Sequence, residues 1–124
     1  MRTKIALAAV LCAGLAACML MSSGKTFYSG APKFSPTSSD SIAILRDIPS
    51  ESYVKLGEVW VIPKPDWSAS YVETQLRQAA ASLGANAVVI VHDQFLGGAV
   101  VPGFTQGASV QPKGGVTGVA VRYQ

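Results

Sequence analysis

The chain has 124 residues, 49% of them hydrophobic, with ten Lys and Arg, seven Asp and Glu, one His and two Cys, for a formal net charge of +3. That length holds one small domain and little else. The charge is no nucleic-acid footprint: without Arg2 and Lys4, which sit in a targeting segment, eight basic residues face seven acidic ones, a net of +1.

Arg2 and Lys4 make a short basic start, and 5–17 is an apolar run too short to span a bilayer as a helix. The run ends in Leu15-Ala16-Ala17-Cys18, which resembles the lipobox of bacterial lipoprotein signal peptides. The resemblance implies a signal peptide over 1–17, with Cys18 acylated (palmitate among its chains) as the first residue of the mature protein. The alternative is an ordinary secretory signal cut nearby. Cys12 fits the anchor position worse, because Leu11 is too large for the small-residue site before the cut. Both cysteines are then lost or consumed, which leaves no disulfide and no thiol chemistry. More than one acyl chain holds a protein stably on a membrane. Met19, rather than Asp, after the anchor resembles an outer-membrane address, which implies a protein facing the periplasm.

Residues 18–40 are expected to be the lipid anchor and a flexible tether, rich in Ser, Gly, Pro and Lys, with Phe27, Tyr28 and Phe34 at no structural period. A coil of the 22 residues 19–40 reaches about 26 Å on average and roughly 70 Å at full stretch. The folded domain is expected over 41–124. Residues 41–46 (SIAILR) read as a short strand, and 53–62 (YVKLGEVWVI) as a second, with Gly57 marking a bulge or a close backbone approach. Pro63 and Pro65 end it.

Val72, Leu76, Ala79, Ala80 and Leu83 recur at the spacing of one helix face. Ser70 and Glu73 have the form of a capping box, and Gly84 supplies the left-handed residue that closes a helix, with Asn86 a second candidate. Residues 87–91 (AVVIV) form an apolar run suited to a strand covered on both faces. A Gly/Pro-rich loop over 97–115 and a last strand over 116–123 complete the chain. The expected architecture is α+β: a small mixed sheet in β-β-α-β-β order with one amphipathic helix on one face. The strands before and after the helix should run parallel, with the last antiparallel beside the third. One helix covers one face only. The other needs a lid from the loop, the tether or another subunit.

The run Ser82-Leu83-Gly84-Ala85-Asn86-Ala87-Val88-Val89, after an amphipathic helix and before Val116-Thr117-Gly118-Val119-Ala120-Val121, resembles the YbjQ-like family, labelled a heavy-metal-binding domain. Tyr53-Val54-Lys55-Leu56-Gly57-Glu58-Val59 looks like that family's first strand, so the likeness spans about 53–123. A looser likeness is to RcsF-type outer-membrane lipoproteins, which carry a similar helix-to-strand corner. The shared motif describes a corner and implies a fold more than a reaction.

His92 and Asp93 are the weak metal candidates. Neighbouring strand residues point to opposite faces, and no second His or free Cys completes a site, so the plainer reading is a polar strand end leaving the core. No Ser-His-Asp spacing, G-x-S-x-G motif, phosphate loop or paired carboxylates are present, so no enzyme and no cofactor are expected. Tyr53, Trp60 and Trp67 are a candidate partner surface near the helix start, with core packing the alternative. Residues 54–62 are a candidate edge able to pair with a partner strand. Arg77 and Arg122 are expected to be solvated. The expected function is a lipid-anchored, non-catalytic binding or interaction module of the cell envelope, with envelope sensing one form of it. Its partner is expected to be another envelope protein or a second copy. The alternative is a metal- or small-ligand-binding module centred on His92 and Asp93.

Overall fold

The computed structural model describes residues 23–96, 98–105 and 115–124. The expected signal peptide, Cys18, the first residues of the expected tether and positions 97 and 106–114 of the expected loop lie outside the described residues. Six strands form one mixed sheet: β1 (Ser23–Phe27), β2 (Ala43–Leu45), β3 (Tyr53–Val61), β4 (Ala87–Asp93), β5 (Gly98–Ala99) and β6 (Val116–Tyr123). One helix, α1 (Ala69–Ser82), packs on one face. The α+β class and the single covering helix are as expected.

The strand order is β1-β3-β6-β4-β2, with β5 beside the far end of β4. β6 is antiparallel to both β3 and β4. Those two strands therefore run parallel to each other, with the last strand between them. Two strands exceed the expected count. β5 continues the chain after β4, and β1 lies within the segment expected to be a tether. From Ser23 onward that expectation is wrong: 23–27 pairs in full register with 57–61 of β3. The chain then stays on the domain, with Tyr28 buried and Thr37 bonded to Ala81 O through its amide (2.9 Å) and to Ala85 O through its hydroxyl (2.7 Å). Sequence alone hides this, because Ser-Gly-Lys-Thr-Phe has no apolar alternation; the edge of β3 imposes the extended state.

The N-cap of α1 lies two residues before the expected one. Ser68 is the extended N-cap, and its Oγ accepts from Tyr71 N–H at 3.2 Å. The turn closed by Trp67 N–H to Lys64 O (3.0 Å) ends just before Ser68, which places the last extended residue there. Glu73 instead faces Arg77 one turn on, at 3.8 Å. Val72, Leu76, Ala80, Ala81 and Leu83 bury against Leu56, Val59, Val61, Val88, Ile90 and Ala120. Each fully buried Leu or Val contributes roughly 1.5–3 kcal/mol relative to exposure.

The helix ends in a Schellman turn: Gly84 N–H donates to Ala81 O (3.0 Å) and Ala85 N–H to Ala80 O (3.2 Å), with Gly84 at φ +82°. Asn86 is not left-handed; its Oδ1 accepts from Tyr123 N–H at 2.9 Å and ties the corner to β6. Arg122, expected in solvent, donates to Gly84 O (2.9 Å) with its guanidinium 4.5 Å from the Phe34 ring centre. Arg77 likewise donates to Ile42 O at 3.2 Å. The corner, the 34–37 segment and β6 are thus held as one unit.

The second sheet face is covered by the chain itself. Tyr28, Val101 and Phe104 bury against Val89, Val91, Val119 and Val121. Lys55 holds this cover down, donating to Phe104 O at 2.6 Å with its ammonium 4.2 Å from the Phe104 ring centre. Of the lids expected from sequence, the loop and the segment after β1 supply the cover, and another subunit is not needed to close that face.

Two substitutions test these features. Both Gly30 and Gly84 have positive φ, but only Gly84 is crowded, with a Cβ falling 2.6 Å from Phe34 Cβ and 2.9 Å from Ser35 O. Gly30→Ala should cost about 1–2 kcal/mol from backbone conformation, and Gly84→Ala more, as read by denaturant unfolding. Phe104→Ala should cost about 3–5 kcal/mol and, by opening the second face, make scattering mass rise with concentration.

Candidate strand-edge groove

β3, expected as an edge, is interior: β1 covers one side and β6 the other. Among the described residues β1 and β2 are the outer strands, each with one strand partner, and β1 offers the longer edge, five residues against three. Its position depends on Gly57. The β3–β6 register shifts between Lys55 and Gly57, a bulge, and a Cβ on Gly57 would collide with Thr26 O. Only glycine lets β1 approach that closely.

Beside this edge runs α1, and between them lies an open groove of about 550 Å³. Ser23 and Lys25 line the strand side, and Gln75, Gln78 and Ser82 the helix side. Lys25 Nζ donates to Ser82 Oγ at 2.6 Å, which bridges the groove, and Ser82 in turn donates to Ala79 O at 2.6 Å. Trp60 lies against Gly24, where any Cβ would collide with its ring. The lining contains amides, hydroxyls and one ammonium, without a carboxylate or imidazole. Such groups match the donors and acceptors of an extended backbone, and they offer no acid–base pair for catalysis.

The other candidates fall elsewhere. Asp93 is buried and both its oxygens are engaged: Oδ2 with Arg46 at 3.1 Å and Oδ1 with Phe95 N–H at 3.0 Å. His92 Nδ1 lies 3.2 Å from Gly115 O, a contact that requires a proton on Nδ1. Asp47 caps its own turn, accepting from Ile48 N–H at 2.8 Å. Among the described residues no three His, Cys, Asp or Glu side chains gather closely enough to hold a metal ion. Thr117 is buried with its hydroxyl lacking a hydrogen-bond partner among the described residues.

The three aromatics named from sequence do not form one patch. Tyr53 and Trp60 are separated by about 23 Å along β3. Tyr53 stacks near Phe104 in the second core (5.7 Å between centroids), while Trp67 packs edge-on against Tyr71 (4.7 Å). Trp60 alone reaches the groove. Lys25, Gln75 and Gln78 were not singled out by sequence reading. Gln75 and Gln78 fall on the polar side of the helical repeat, and nothing local marks 23–27 as a strand.

Comparison of the chain with protein-family models, with curated proteins and with solved structures gives no match. No helix among the described residues is long and apolar enough to cross a membrane.

Gly57→Ala should push β1 off β3 at a cost of about 1–3 kcal/mol. Amide exchange over 23–27 should accelerate well before that of β4 and β6.

Proposed function

We propose that this chain is a lipid-anchored protein of the cell envelope, held on the outer membrane through acylated Cys18, facing the periplasm and acting as a non-catalytic binding module. The observation that supports it is the free edge of β1 beside the α1 groove. An extended segment of a partner would add as a strand along 23–27, with main-chain hydrogen bonds giving affinity. Gln75 and Gln78 from the helix side and Lys25 from the strand side would read its polar groups. A second copy of the chain, presenting its own β1, is one such partner; another envelope protein is the other. The likeness of 53–123 to YbjQ-like proteins, and more loosely to RcsF-type lipoproteins, is the family placement we propose. The engaged oxygens of Asp93 and the position of His92 give a metal-centred reading no support.

Photo-crosslinking residues placed singly at Thr26, Gln78 and Ser50 test the site in cells. Discrete adducts from Thr26 and Gln78, absent from Ser50, are expected. The same adducts from all three, or none from the first two, would remove the strand edge from consideration. Intact mass of the purified protein reports acylation of Cys18 separately.

A further inference from the structure

Ser23, Val61, Val116 and Asp93 form a single row across one end of the sheet, since Ser23 pairs with Val61, Val61 with Val116 and Val116 with Asp93. At about 4.8 Å per strand the row is roughly 14 Å wide. Among the described residues, the 62–68 turn, the first turn of α1 and the residues after β4 lie at this end. These carry Ile62 (40% exposed), Tyr71 (46%) and Phe95 (62%), half of the large exposed hydrophobic residues among those described. Trp67 is half-buried beside Tyr71, with Lys64 Nζ 5.7 Å from its ring centre.

The same end receives the chain from Cys18. Four residues lie between Cys18 and Ser23, and the five steps from one to the other span at most about 17 Å. A small domain is about 30 Å across. The long tether expected from sequence would have let the domain stand clear; with β1 starting at Ser23 it cannot. We infer that this end of the sheet, presenting Ile62, Trp67, Tyr71 and Phe95, rests on the lipid surface that holds the anchor. The inference depends on the proposed acylation of Cys18. Aromatic rings with a polar edge and a neighbouring lysine suit the boundary between headgroups and acyl chains. The 62–68 turn has one cation, Lys64, and one anion, Asp66, so apolar contact rather than net charge makes the attachment.

The test uses the full lipidated protein in phosphatidylethanolamine–phosphatidylglycerol vesicles whose acyl chains carry bromine near the headgroup. Trp60→Phe leaves Trp67 as the single tryptophan; if that variant misfolds by circular dichroism, the difference between wild type and Trp67→Phe reads the same signal. Trp67 emission should shift to the blue and be lost to bromine quenching, and raised salt should leave the quenching in place. Phe95→Ser and Tyr71→Ser together should restore the emission while the mass still shows acylated Cys18. Unquenched Trp67 emission in protein whose mass shows the lipid would overturn the orientation and leave the anchor intact. An unmodified Cys18 would overturn the anchor, and the orientation with it.

Discussion

A strand pair that is apolar on both faces must be covered twice, and this molecule is built around that constraint. β4 and β6 sit side by side near the middle of the sheet, with Val88, Ile90 and Ala120 on one face and Val89, Val91, Val119 and Val121 on the other. One helix satisfies the first face. The second is met by short irregular pieces, Tyr28 from one part of the chain and Val101 and Phe104 from another. Those pieces have little secondary structure of their own and are held by contacts such as Lys55 to Phe104 O and its ring. The protein therefore has a regular core on one side and a fitted cover on the other, and the cover explains why so much of a short chain has no helix or strand.

The parts legible in sequence are those whose cause is local. The α1 face follows from 3.6-residue spacing, and the corner at Gly84 from a left-handed position that few other residues adopt. The buried β4 run is equally local. The capping box at Ser70 and Glu73 shows how local signals also mislead: the residues fit the pattern, but the Lys64–Trp67 turn places the cap at Ser68. What escaped was non-local. Nothing in Ser-Gly-Lys-Thr-Phe announces a strand, since its conformation comes from pairing with β3 some thirty residues later. The placement of β6 between β3 and β4 depends on three-dimensional competition among edges, which periodicity does not encode.

The groove inherits that difficulty. It is made of Lys25 from an unannounced strand and Gln75 and Gln78 from the polar side of a helix, residues that look like solvent-facing filler when read singly. Their meaning comes from being brought beside a free strand edge. Trp60 was marked as an aromatic worth watching, and it does reach the groove, whereas Tyr53 and Trp67 serve the two ends of the domain.

The position of β6 also governs how the chain can fold. It is hydrogen-bonded on both sides, to β3 and to β4, yet it is the last element in the sequence. Until its eight residues are present, β3 and β4 have no shared neighbour, and the helix between them has no continuous sheet to pack on. The β1–β3 and β3–β6 pairings join strands far apart in sequence, a topology of long separations and correspondingly slow closure. Loss of β6 removes the middle of the sheet rather than its margin. The domain therefore needs β6 in place before its sheet is continuous, and a chain that stops short of β6 lacks the strand that joins β3 to β4.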